Sequence, residues 1–283
     1  MVVIMTKTGE PIAQEELEEI LHLVLLSAYV ADEKPLSALI VANVEAGKTM
    51  MMERYRTNHG VLWLSDASAY GIILKYGKDL KDGTVRHIFI PDFLRVLAHK
   101  QETRQQTITF LNGLIEEGVG NMVMGPRSFE VATPYSCGLV TAIPREIFMD
   151  ERRQWSRIGF MSRMLPISFA YSTETARRIM LSICDQDYHH YKPVSVVFPR
   201  NRADETEQWP IILPGQLSRQ LVPYSERLAK GEAADRYGYR NQKQLQRLLK
   251  ASALERANEI VDEQDLQRVI RLSRFLNLNY TKV

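Results

Sequence analysis

The chain has 283 residues, enough for one large domain and a small one, with 45% hydrophobic and 25% charged residues, an ordinary globular balance. A formal net charge of +2 excludes a global polyelectrolyte attraction to nucleic acid, so any basic surface must be local. The two cysteines, Cys137 and Cys184, exclude a disulfide framework and read as buried thiols of a reducing compartment, and no apolar run reaches a membrane span, so a cytoplasmic protein with no membrane partner is expected.

Residues 15–31 read as a helix whose acidic first turn suits the positive end of the helix dipole; Lys34-Pro35 closes it. Residues 36–41 form a short apolar run, the pattern of a buried strand. Gly47 opens a helix over residues 48–57. A second strand covers 61–65, a helix 67–76, and a third strand 85–90, stopped by Pro91. Residues 103–117 are amphipathic, with Ile108, Leu111, Leu114 and Ile115 on one face. Residues 122–131 read as a hairpin turning at Gly125-Pro126. A strand over 138–143, a helix over 145–157, a strand over 165–171 and a helix capped by Ser172 complete the series. This alternation predicts an α/β fold over residues 1–191, a parallel sheet with flanking helices. Residues 192–225, punctuated by prolines, read as a connector with one extra strand at 195–198. Residues 226–283 read as a small all-α domain. Its helix over 242–255 uses Leu245, Leu248, Leu249 and Leu254. Asp262 and Asp265 form a capping box before a closing helix over 263–276.

Three segments carry chemistry. Ala42-Asn43-Val44-Glu45-Ala46-Gly47-Lys48-Thr49 follows a predicted buried strand and opens a helix, the context of a phosphate loop. Backbone amides from Asn43 through Met50 would face a nucleotide's phosphates. The Lys48 ammonium would reach the β- and γ-phosphates, and the Thr49 hydroxyl would bind Mg²⁺. About forty residues on, Asp92 ends an apolar strand. A carboxylate at that edge of a parallel sheet faces the ligand crevice and could hold Mg²⁺ or orient water; capping a short helix is the plainer role, and Asp66 competes for the metal. Arg163, in Gly159-Phe160-Met161-Ser162-Arg163, suits an arginine finger, with pairing to a surface acid as the alternative. A finger acting on a neighbour's nucleotide would require a ring or filament. His189-His190 reads as a helix-end pair, since adjacent histidines point to different faces.

Taken in order, the phosphate loop, Ile90-Pro91-Asp92-Phe93, a helix and hairpin, Gly138-Leu139-Val140-Thr141-Ala142-Ile143-Pro144, Ser162-Arg163 and a C-terminal helical lid resemble AAA+ ATPases of the P-loop NTPase class. The run from Arg240 to Ala253 and Ile260-Val261-Asp262-Glu263-Gln264-Asp265-Leu266 are most similar to the minichromosome-maintenance helicase branch. The resemblance implies ATP and Mg²⁺ as cofactors. It implies that Lys48 and Thr49 hold phosphate and metal, and that Asp92 is the acidic catalytic residue. Thr141 lies in the sensor strand, Arg163 is the finger, and Arg240 senses the γ-phosphate. The chain departs from the pattern at Ala42, at Pro91 where the metal-binding acid would stand, and at Ile143 where the sensor Asn would stand. The resemblance further implies a homo-oligomer acting on DNA in replication as a helicase-like motor or loader. Arg127 would lie at a hairpin tip touching DNA, and a replication partner protein would serve for recruitment. The alternative is an assembly protein using nucleotide as glue, with weak or no turnover. A third reading takes Arg240, Lys243, Arg247 and Lys250 as the basic stripe of a DNA-reading helix.

Overall fold

The computed structural model describes residues 12–124, 127–129, 134–184, 192–196, 208–232, 237–278 and 281–283. The strands are Ala38–Ala42 (β1), Val61–Trp63 (β2), His87–Ile90 (β3), Met122–Met124 (β4), Arg127–Phe129 (β5), Gly138–Pro144 (β6), Leu165–Ala170 (β7) and Thr281–Lys282 (β8). The helices are Glu15–Leu26 (α1), Lys48–Glu53 (α2), Ala69–Lys81 (α3), Leu94–Leu97 (α4), Gln101–Glu116 (α5), Arg145–Arg157 (α6), Thr173–Cys184 (α7), Gly215–Gln220 (α8), Val222–Glu232 (α9), Tyr239–Glu255 (α10) and Glu263–Leu272 (α11).

β1 is apolar and buried at every position, so it must be covered on both faces. It lies inside a sheet of order β2-β3-β6-β1-β7-β8, in which every pairing is parallel. The two-residue period of a strand then divides its side chains. Ala38, Ile40 and Ala42 join one core with α1, α10 and α11; Leu39 and Val41 join another with α3, α5 and α6. The expected α/β parallel sheet with flanking helices is therefore the fold. β4 and β5 pair as the expected hairpin, Met124 opposite Arg127; its turn and residues 130–131 lie outside the described residues.

Several elements differ from the sequence reading. α2 ends at Glu53, not near residue 57, because Arg54 and Tyr55 leave the helix to bind elsewhere. Arg54 Nε donates to Lys192 O (3.0 Å) and its guanidinium pairs with Glu18, while Tyr55 Oη donates to Glu18 O (2.8 Å). α3 runs on to Lys81, with Lys78 and Lys81 suited to the dipole at its C-terminal end, and Ser68 caps its start. No strand forms at the described residues 195–196. Val194 and Val196 instead hydrogen-bond through their amides to Arg54 O and Asn58 Oδ1.

Helices α8 and the start of α9 lie inside the segment read as a connector. Pro214 stands at the N-cap of α8 and Pro223 in the first turn of α9, positions where a missing N–H costs nothing, so these prolines start helices instead of breaking them. Nor do the C-terminal helices keep a separate core. Leu245, Leu248 and Leu249 of α10 share one cluster with Leu17, Leu21 and Val24 of α1. The closing helix stops at Leu272, and the chain returns to pair β8 with β7, Phe169 opposite Thr281. The capping box at Asp262 and Asp265 forms as read. Cys137 is buried, its thiol pushed up by burial, but Cys184 is exposed.

His87 sits fully buried between β2 and β6, with Nε2 3.1 Å from Leu36 O. Burial pushes its imidazole down from the ordinary 6.5 to about 4, so it is neutral near pH 7. Its ring lies against the Cα of Gly138, where an added Cβ would come within 2.2 Å of His87 Cδ2 and 2.6 Å of Leu36 O. Gly138→Ala is therefore expected to wedge β3 from β6 and to cost ~1–3 kcal/mol, read as a lower urea midpoint. The depressed pKa also makes stability fullest above pH 6.5 and lost as pH falls toward about 4. His87→Gln should flatten that part of the stability–pH curve.

Candidate functional site

The segment from Ala42 to Lys48 leaves the C-terminal end of β1 and turns into α2. The turn requires left-handed backbone twice. Gly47 adopts it at φ 74° without penalty. Glu45 adopts it at φ 64°, which costs a side-chain-bearing residue about 1 kcal/mol. Ala42 is buried inside the β1–β6 ladder, so the first position of the loop is a strand residue. The carbonyl of Ala46 is pinned from two sides. Tyr171 Oη donates to it at 2.9 Å and Gln14 Nε2 at 3.0 Å. Neither residue was singled out from sequence, and no local pattern marks them; they meet the loop only because α1 and β7 both pack beside β1.

The Lys48 ammonium lies folded into the loop, donating to Ala42 O (3.0 Å) and Asn43 O (2.5 Å). Burial lowers its pKa to about 8, and the Asp92 carboxylate acts in the opposite direction. Asp92 thus lies close enough to Lys48 to be felt electrostatically. Thr49 is exposed at the start of α2. Asn43, Val44 and Glu45 are exposed on the loop, and with Ala46 they edge a cavity of about 420 Å³. Its far wall is Tyr171, Ile179, Met180 and Ile183, an apolar surface beside a phosphate-type loop. The Met50 side chain is buried against Ile12 and Ile179, so only its backbone amide, in the first turn of α2, is offered to the loop.

Asp92 does two things at the edge of β3. Its Oδ1 accepts from Leu94 N (3.2 Å), capping the start of α4, and the carboxylate remains partly open to solvent beside Arg95. Asp66 is engaged with His99 Nε2 at 3.0 Å and with Ala67 N, a tighter pairing than the 3.9 Å between Asp92 and Arg95. Thr141 is also corrected. It is fully buried in β6, and its hydroxyl donates to Ile90 O at 2.6 Å, so it ties the sheet together and offers nothing to a substrate. The residues present suit a nucleotide with Mg²⁺. Lys48 supplies a cation, the loop supplies left-handed turns that expose amides, and Thr49 and Asp92 supply the one or two oxygen ligands that Mg²⁺ usually takes from protein. Among the described residues no cluster of three metal-type side chains exists.

Arg163 and Arg240 lie elsewhere. Leu165 pairs with Ala38, at the start of β1, so Arg163 stands at the opposite edge of the sheet from the loop. Its Nε meets Glu116 Oε2 at 2.7 Å and its Nη2 meets Glu117 Oε1 at 3.0 Å. Arg240 Nε meets the other oxygen of Glu116 at 2.9 Å. The structure therefore sets Lys48 and Thr49 at the start of α2 with Asp92 in electrostatic reach of Lys48, and gathers Arg163 and Arg240 into a second group. The basic stripe of α10 is not a free DNA-reading face: Arg247 and Lys250 both pair with Glu33, at 3.0 and 2.6 Å. The backbone of Arg127 is placed in the β4–β5 hairpin. His189 and His190 lie outside the described residues.

No family model matches the chain, and no curated protein matches it. Solved structures do: 302 chains resemble it, so many that the likeness marks a widespread fold and does not pick out one activity. One of them, a candidate ATPase from Cytophaga hutchinsonii, superposes with a TM-score of 0.51 over 97% of this chain and 82% of its own, at 13% identity. The shared fold is a parallel α/β sheet with flanking helices, consistent with that of P-loop NTPases.

Two predictions follow from the loop. A bound triphosphate would raise the pKa of Lys48, so nucleotide affinity should be nearly constant below pH 8 and fall above it, by at most about tenfold per pH unit for one proton. Calorimetry from pH 7 to 9.5 reads this. Glu45→Gly removes a strained φ and a carboxylate beside the phosphates, and should tighten nucleotide binding in the same titration.

Proposed function

We propose that this chain is an ATPase of the AAA+ type, binding ATP with Mg²⁺ and working as a homo-oligomer. The observation that carries the reading is Lys48, which opens α2 just after the left-handed Gly47 at the C-terminal end of a central parallel strand, within electrostatic reach of the Asp92 carboxylate. When bound, the nucleotide supplies the scissile phosphoanhydride. Lys48 and the loop amides would bind the phosphates and Thr49 would hold the metal. Asp92 would either hold the metal through water or orient the attacking water. The apolar wall of Ile179, Met180 and Ile183 fits a nucleobase. Arg163 cannot serve the loop of its own chain from the opposite edge. In a ring or filament it would face the loop of the next copy, with Arg240 beside it, and stabilise charge developing on the terminal phosphate.

The finer reading is a helicase-like motor or loader on DNA in replication, with the hairpin at Arg127 touching the strand and a partner protein assisting recruitment. The resemblance in the 240–253 helix and the order of the motifs support it. The second reading, a nucleotide-dependent assembly protein with little turnover, is favoured by Pro91 in place of an acid and by the engaged hydroxyl of Thr141.

Turnover and calorimetry on the full chain separate them. Lys48→Ala should lose both binding and turnover. Arg163→Ala should keep binding and lose at least about 10³ in rate, as removal of an arginine finger does. Mixing the two variants should restore part of the activity, because a chain with Lys48 would sit beside a chain with Arg163. Binding without turnover in the unaltered protein selects the assembly reading. An absence of heat with ATP, ADP and GTP in magnesium buffer rules out both.

A further inference from the structure

The end of α5 breaks a local rule. Glu116 and Glu117 sit at its C-terminus, where the dipole and the unpaired carbonyls disfavour carboxylates, and the last turn has no basic residue of its own. The ammonium of Lys34, from a distant loop, covers the Glu116 carbonyl. The Glu116 side chain then bridges two arginines from separate elements, Arg163 before β7 and Arg240 at the start of α10. Arg163 is 11% exposed and anchored further by Glu117 and by Gly159 O; Glu116 is 31% exposed. Two charges on the arginines are thereby balanced by two on the glutamates. Beside them a cavity of about 360 Å³ is lined by Lys243 and by Tyr237 and Tyr239, whose exposed rings stack at 5.6 Å. The adjoining hollow holds Gln244, 4% exposed, with its Oε1 unpartnered.

We propose that Glu116 is a stand-in anion: its carboxylate occupies, between Arg163 and Arg240, the position that the terminal phosphate of a nucleotide carried by a second copy takes on assembly. The inference rests on the reading of Lys48 as the nucleotide-binding group and adds a control to it. Carboxylate and phosphate present similar oxygens to guanidinium groups, so one can replace the other with little rearrangement of the arginines. The phosphate carries more charge, and Glu116 is open enough to swing into water when displaced. A second copy without nucleotide brings no anion to exchange and leaves the Glu116 pairs in place. Glu116 thus holds the two arginines near neutral and sets a cost that only an arriving phosphate offsets. The exposed tyrosines widen the receiving face.

The test is sedimentation velocity on the full chain, with and without magnesium and a slowly hydrolysed ATP analogue, after calorimetry has established analogue binding. Glu116→Gln keeps the shape and removes the charge. It should lower the protein concentration at which copies associate in analogue by about fivefold or more, the low end of coupling between two sites. It should change nothing without analogue, or when combined with Lys48→Ala. Glu117→Gln, which touches Arg163 alone, should act in the same direction more weakly, and thermal melts of both variants check folding. Arg163→Ala should abolish the analogue-dependent association. If Glu116→Gln folds and leaves that association unchanged or weaker, Glu116 is a brace and the proposal is overturned, while the reading of Lys48 stands. If no protein binds the analogue, that reading fails and the proposal with it.

Discussion

The parallel run of β1 with β6 and β7 sets everything else in the molecule. Because the three strands point the same way, whatever follows β1 lies at one edge of the sheet and whatever precedes β7 lies at the other. The four steps from Ala38 to Ala42 span ~13 Å at the usual rise of a strand. Lys48 and Arg163 are kept apart by at least that length of close-packed strand. No side-chain rearrangement in one chain can bring them to a common phosphate. A cation group at each edge, one at the turn after β1 and one around Glu116, would suit the head-to-tail contact between copies proposed above. Such contacts close into rings or run on as filaments.

The two edges are not mechanically independent. α10 carries Arg240 and packs its leucines on α1; Gln14, at the start of α1, donates to the Ala46 carbonyl inside the loop. Tyr171, at the end of β7, holds the same carbonyl, and β7 begins just after Arg163. Packed elements therefore run from each arginine to the same peptide unit of the loop, a physical continuity along which a change at one edge can reach the other. Residues of α1, α10, α11 and β1 share one buried cluster, so the C-terminal helices pack directly on the sheet.

At Ala42, a departure from the AAA+ pattern, and at neighbouring positions of the site the local accommodations are visible in the structure. Ala42 is accommodated because it belongs to the strand and needs no unusual backbone. Glu45 is not so comfortable, since it takes a left-handed conformation that glycine would adopt freely. Asp92 combines the cap of a short helix with a partly open carboxylate, and Thr141 has become a crosslink between β6 and β3. Together they describe a site with its binding parts in place and few spare groups for chemistry.

The sequence determined what depends on neighbours along the chain. The buried run before residue 42, the glycine and lysine at 47 and 48, the amphipathic helix around Leu111 and the Asp262 cap are all set by local periodicity or by one backbone turn, and each forms. What depends on contacts across the chain could not be seen there. Met50, Thr141 and Arg54 were decided by which face of a helix or strand meets the core. Pro214 and Pro223 start helices because the chain enters them at the N-terminus, which composition alone does not reveal. Gln14 and Tyr171 meet at Ala46, and Glu116 meets Arg163 and Arg240, only because strand order and helix packing bring residues separated by up to 157 positions within hydrogen-bonding distance. Side-chain type and spacing fix local turns and faces, and the partners of a charge or a carbonyl are fixed by the packing of the whole chain.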